Sequence, residues 1–224
     1  GREGALTELP GWRVVLSYMW QRKKLYSALH LGVPFIVVML YGLQGWTPTI
    51  LLRVYGWDLA DAGRIYGMLA LICGSAGVLS GPVLSQFLLR RGLDDAPFRV
   101  AVLGAAMATL SLATLPFQVS GEMALISIVS ASFFVTLPLA LITTVMHEVT
   151  PNNMRGVVNG MYVVTTNVFG LALGPTLVAL STDYMFRDTM AVAKSLAFVA
   201  LFVGPIAVFL LNLGRKNYTE IVKR

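Results

Sequence analysis

Few side chains in this sequence have types and spacings that could do chemistry. His147-Glu148 opens like a zinc-protease helix, in which a second histidine four residues on would complete the metal pair and the glutamate would act as base. Position 151 is Pro151, and the only other histidine is His30. Gly74-Ser75-Ala76-Gly77 and Gly77-Val78-Leu79-Ser80-Gly81 both miss the G-x-S-x-G spacing of a nucleophile turn. With no metal site, phosphate loop or triad in view, the expectation is a chain without enzymatic activity, metal or cofactor. The single cysteine, Cys73, has no partner for an internal disulfide.

The polar groups that stand out lie in residues 41–49, YGLQGWTPT, inside an otherwise apolar run. Pro48 deletes a helical hydrogen bond, and its ring crowds the carbonyl of Gln44. Backbone groups freed in hydrocarbon are costly unless protein or water satisfies them. The segment is therefore expected to be a weakened helix facing a cavity. Tyr41, Gln44, Gly45 and Pro48 share one face of that helix. The Gln44 amide must meet a partner helix, water or a ligand. Asn167 is the other mid-span amide that its own backbone cannot fully satisfy, whereas Thr136, Thr143, Thr144, Thr165 and Thr166 carry hydroxyls of the kind that usually bonds its own helix and rank lower. An apolar wall with polar points at Tyr41, Gln44, Trp46, Thr47 and Asn167 suits an amphipathic small molecule better than a sugar. No acid or base occupies the centre of a span, so a proton carrier, if protons drive the cycle, must lie elsewhere.

These residues need elements to hold them, and the composition says which. Hydrophobic residues make up 56% and charged residues 12% of the chain, about half the charge of a soluble domain. Apolar runs of about 20 residues, the length that crosses a bilayer, cover 25–52, 60–89, 100–117, 123–146, 157–180 and 190–213. The breaks between them carry turn chemistry, as in Thr150-Pro151-Asn152-Asn153, and their shortness makes successive helices antiparallel. Gly63, Gly67, Gly74, Gly77 and Gly81 line one side of the second span, and Gly156, Gly160, Gly170 and Gly174 do the same in the fifth. Small residues of this kind let membrane helices approach closely.

With the amino end cytoplasmic, 13 of the 17 basic residues fall on that side, leaving Arg53, Arg64, Arg187 and Lys194 on the other. The positive-inside rule therefore places both termini in the cytoplasm of a multi-pass protein of the cell (inner) membrane. Basic residues that hug the membrane edges exclude nucleic acid as a partner. Residues 1–24 lack a signal peptide's apolar core. Leu9, Trp12, Val15, Leu16 and Met19 instead suit a short amphipathic linker helix on the inner leaflet. The expected organisation is a linker over 1–24, a six-helix domain over 25–213 and a tail over 214–224. The amino end, without methionine, points to a preceding segment.

The loops carry a family resemblance. GPVLSQFLLRRG, residues 81–92, resembles the signature between the second and third helices of each half of major facilitator transporters. Ser85 and Gln86 stand where an acidic residue is usual, while Arg90 and Arg91 remain. TPNNMRGVVNGMYVVTTNVFGLALGPTLVALSTD, residues 150–183, together with YGLQGWTP and RVYGWDLADAGRIYG, resembles the carboxyl-terminal half of bacterial spinster-like members. That resemblance implies an all-α membrane fold: six transmembrane helices, corresponding to helices seven to twelve, as half of a major facilitator fold. It also implies an amino-terminal six-helix half as partner and alternating access for an amphipathic, lipid-like cargo among membrane lipids. The first, second, fourth and fifth helices would line or gate the cavity. Pro48, Asp61, Arg64, Arg90, Arg91 and Arg155 form the expected gating set. The alternatives are a homo-oligomeric six-helix carrier or pore, and a scaffold subunit that transports nothing.

Overall fold

The computed structural model describes residues 11–222, which are helical throughout apart from turns. A short helix α1 (Trp12–Gln21) precedes six helices long and apolar enough to cross a membrane: α2 (Lys23–Tyr55), α3 (Leu59–Arg90), α4 (Ala96–Phe117), α5 (Gly121–Val149), α6 (Arg155–Phe186) and α7 (Thr189–Ile221). They run antiparallel in sequence. One end of the bundle gathers Arg22, Lys23, Arg90, Arg91, Arg155 and Arg215 and is called the basic end here.

The turns form where the sequence carries their chemistry. Gly56 takes φ +69° after α2, and the amides of Gly56 and Trp57 bond back to Leu52 and Leu51 at 3.1 Å. This is a glycine-closed helix end that a side chain at Gly56 would strain. Asp58 then caps α3, its carboxylate accepting from the amides of Ala60 at 2.8 Å and Asp61 at 3.3 Å, the usual relief for unpaired first-turn donors.

Burial is uneven. The most apolar stretch of α2 is 72% buried, against 11% in α3 and 22% in α6. Thus α2 is the core of the bundle, with Leu29, Ile36, Met39, Leu43 and Ile50 among the fully buried side chains, while α3 and α6 lie at its margins. Close approach is set by particular glycines. A Cβ on Gly77 or Gly81 would strike the carbonyl oxygens of Phe133 or Leu137 on α5, and one on Gly170 would strike the Tyr41 ring on α2. By contrast, Gly63, Gly67, Gly156 and Gly160 have open space there, so only part of each expected glycine stripe packs within this bundle.

Helix continuity follows packing as well as local sequence. The helix runs unbroken from Val33 to Tyr55 through Pro48; the helical break falls at Pro138 in α5, between Thr136 and Leu139. Widened π-turns cover Ala28–Gly32 and Val168–Leu173, shortly before Pro34 and Pro175, where an extra residue per turn accommodates a ring without an amide. The segment expected as a tail after Leu213 begins as a continuation of the helix. The helix continues to Val222, because its end packs on the bundle: Tyr218 is buried and stacks on Phe98 at 5.4 Å between centroids. Of the linker, α1 is a helix with Trp12 and Trp20 exposed and Val15 buried. Leu9 lies outside the described residues, as do Lys223 and Arg224.

Candidate functional site

The exposed margin between α2 and α6 holds most of the polar points expected there. Along α2, Gln44 and Gly45 are exposed and Tyr41 and Pro48 are half-buried, so the stripe they form is open in this bundle. Across from it, Asn167 ends the regular part of α6 and opens the π-turn. The Tyr41 hydroxyl donates to Asn167 Oδ1 at 3.3 Å, and Asn167 Nδ2 donates to the Val163 carbonyl at 2.8 Å. One lone pair of Oδ1 and the exposed Gln44 amide are left for another partner. Tyr41 stands here because Gly170 and Gly174 leave no room for a side chain between α6 and α2.

Two of the expected residues have their polar atoms engaged within the bundle. Thr47 is fully buried, and its hydroxyl donates to the Leu43 carbonyl at 2.6 Å, so it does not share the open stripe with Gln44. Behind it sits the buried Tyr66 hydroxyl, beside Thr47 but outside hydrogen-bond geometry. Trp46 donates Nε1 to the Pro175 carbonyl at 3.0 Å, which makes it a strut between α2 and α6 with its ring half-buried.

The gating set is spread over both ends. Asp61 and Arg64 form an exposed ion pair at 2.6 Å on the first turns of α3, a pair worth under about 1 kcal/mol. At the basic end Arg90 is exposed, and the Arg91 guanidinium lies 4.2 Å above the Phe87 ring. Arg155 donates Nε to the Thr150 carbonyl at 3.1 Å, tying the α5–α6 turn.

The sequence reading missed the polar network of the basic end. Asp95 is buried and takes Arg99 Nε at 2.6 Å and Arg215 Nε on its other oxygen. Burial alone would raise the Asp95 carboxyl, but hydrogen bonds and charge from Arg99 and Arg215 outweigh it and hold the group below its ordinary value. The spacing of Asp95 and Arg99 on one helical face was a readable signal. Arg215, far along the chain, gave none. Nearby, Tyr218 donates to Glu148 at 2.8 Å. On the α2 side Tyr18 donates to the Val149 carbonyl at 2.8 Å and Tyr26 pairs with Thr150 at 2.9 Å. His30 takes the Tyr26 carbonyl through Nδ1 while Nε2 stays unpartnered. Among the described residues no group of three His, Cys, Asp or Glu side chains is placed to hold a metal.

Comparison with known proteins agrees with this architecture. A family model described as Major Facilitator Superfamily matches residues 2–175. A bacterial homologue of the human lysosomal transporter Spinster, in an inward-facing and unoccupied conformation, superposes with a TM-score of 0.75 at 17% identity, covering 100% of this chain and 53% of that one. The same description in an occupied conformation gives 0.61 at 17% identity, covering 89% and 49%. A probable galactarate/D-glucarate transporter of Pseudomonas putida is 26% identical over 161 residues, 72% of this chain and 34% of that protein. The chain thus spans about half the length of the first of these structures and about a third of the curated relative.

Proposed function

Because the chain belongs to the Major Facilitator Superfamily, as the match over most of its length shows, we propose that it is the carboxyl-terminal half of a secondary transporter that moves an amphipathic small molecule by alternating access. Its partner is an amino-terminal six-helix half, its setting the cell (inner) membrane, and the basic end faces the cytoplasm. In such transporters cargo binds near the midplane between two halves. The observation that carries this reading is the open α2–α6 margin, where Tyr41 and Asn167 bond across the helices and Gln44 stands exposed beside them.

The same margin favours an amphiphile over the diacid named for the Pseudomonas relative. Among the described residues no cation sits at mid-depth on it; the nearest gating arginines, Arg64 and Arg155, lie at opposite ends of the bundle. A doubly charged substrate would need its cations from the amino half. Substrate-dependent thermal stabilisation of the whole transporter, screened over lysophospholipids, sphingoid bases, galactarate and D-glucarate, tests this. Stabilisation by a lipid-like compound that is lost in Gln44→Leu is the expected result. Stabilisation by the diacids alone would overturn the cargo class.

A further inference from the structure

Beside the α3–α5 contact that Gly77 and Gly81 make, the structure has a groove that the transport reading does not use. It encloses about 600 Å³ and is lined by Leu79, Val83 and Phe87 of α3, Leu103 of α4, and Phe133 and Leu137 of α5. Leu79 and Val83 are 71% and 69% exposed and Phe87 48%, so the groove lies open along the flank of the bundle. It is walled by α3, α4 and α5, whereas the polar margin is made by α2 and α6. The groove residues of α3 occupy its basic-end half, since the helix ends at Arg90.

Its charge is one-sided. Leu79, Val83 and Phe87 recur every four residues, so they fall on one helical stripe, and Arg91, just past the helix end, stacks its guanidinium on the Phe87 ring. Neither Arg90 nor Arg91 takes part in an ion pair among the described residues. The adjacent carboxylates, Asp94 and Glu148, line a separate cavity of about 260 Å³ with Pro82, Ser85 and Tyr218. An apolar trough half a membrane long, closed at headgroup level by two arginines, has the shape and polarity of an anionic lipid.

We propose that this groove seats an acyl chain of an anionic phospholipid from the leaflet at the basic end, with Arg91 and Arg90 holding its phosphate. The assignment of that leaflet as the cytoplasmic one rests on the topology proposed above; the groove and its arginines do not. The ring of Phe87 serves both parts, as floor for the chain and as platform for the guanidinium.

The test uses the whole transporter, delipidated and then given equimolar phosphatidylglycerol and phosphatidylcholine in mixed micelles, with retained lipid counted by native mass spectrometry. The wild type should retain phosphatidylglycerol preferentially. Arg91→Gln should cut that preference about fivefold, the factor that one interfacial cation contributes. Val83→Trp, at an exposed position, should remove lipid of both kinds without shifting the melting temperature. If it melts early instead, the Arg91→Gln comparison still decides. Equal retention of the two lipids by the wild type, an unchanged preference in Arg91→Gln, or no retained lipid at all because the amino half covers the groove would each overturn the proposal. Transport by Gln44→Leu bears on the cargo reading and leaves this count untouched.

Discussion

Helices α3 and α6 carry similar glycine spacings and use them at opposite ends. In α3 the glycines near the basic end, Gly77 and Gly81, are jammed against carbonyl oxygens of α5, while Gly63 and Gly67 toward the other end touch nothing. In α6 the order reverses: Gly156 and Gly160 near the basic end are open, and Gly170 and Gly174 are jammed against α2. The same spacing therefore serves two purposes. Packed glycines hold this bundle together, and open ones leave the helix surface bare of side chains. Under the proposed pairing with an amino half, the open pairs are where helices of that half come close, one pair at each side of the membrane.

The sharpest way to break this comparison is to fill both kinds. Gly77→Leu and Gly170→Leu should cost about 3 kcal/mol or more, since the clash is with backbone or a confined ring, and should yield little monodisperse protein on size exclusion. Gly67→Leu and Gly160→Leu should fold with melting temperatures near wild type yet lose at least about tenfold of transport, a penalty of about 1.4 kcal/mol or more in closure. Equal loss of fold in all four would erase the distinction.

A smaller effect is expected at the basic end. Asp95→Asn removes the charge and one of the two oxygens that accept from Arg99 and Arg215 and should cost about 2 kcal/mol, less where solvent screens the partly exposed arginines. The wild-type contribution depends on pH in a definite direction. Because the folded-state carboxyl is held below its ordinary value, its stabilisation is complete above the usual carboxylate range and is lost as pH falls through the depressed value. Melting temperatures followed below pH 5 should fall for wild type and stay flatter in Asp95→Asn.

Tyr41→Phe loses a long, partly exposed hydrogen bond and should change stability by only about 0.5 kcal/mol, yet it should alter substrate-dependent stabilisation if Asn167 faces cargo. Smallest is Asp61→Asn. Its exposed pair should contribute under about 0.5 kcal/mol, so any large loss of transport there would mark a gate and not a stabilising contact.

The six spans could be read from apolar length, because a membrane helix is defined by what lipid tolerates. Their ends could not. Helix α7 passes the last long apolar run at Leu213 and continues through Arg215 and Tyr218 because those side chains find Asp95, Glu148 and Phe98, partners invisible to a local window. Proline obeys a related rule. Pro48 was expected to weaken its helix, and the helix passes through it unbroken, while Pro138 interrupts α5; local sequence names where a bond is missing, and packing decides whether the chain bends. At the candidate site, Tyr41, Gln44 and Asn167 were recognisable as polar groups out of place in hydrocarbon. That Thr47 turns inward and Trp46 braces Pro175 depended on the rotation of α2 against α6, which no periodicity in either helix records.

Asp95 and Arg215 stand 120 residues apart in the chain, and that interval sets an order in time. During synthesis the carboxylate reaches the membrane edge with only Arg99 for company, and α4, α5 and α6 must be placed before its second guanidinium leaves the ribosome. Until then the turn between α3 and α4 is held by one arm of a two-armed clamp, so α7 does more than fill a gap in the bundle: its arrival locks a corner laid down three spans earlier.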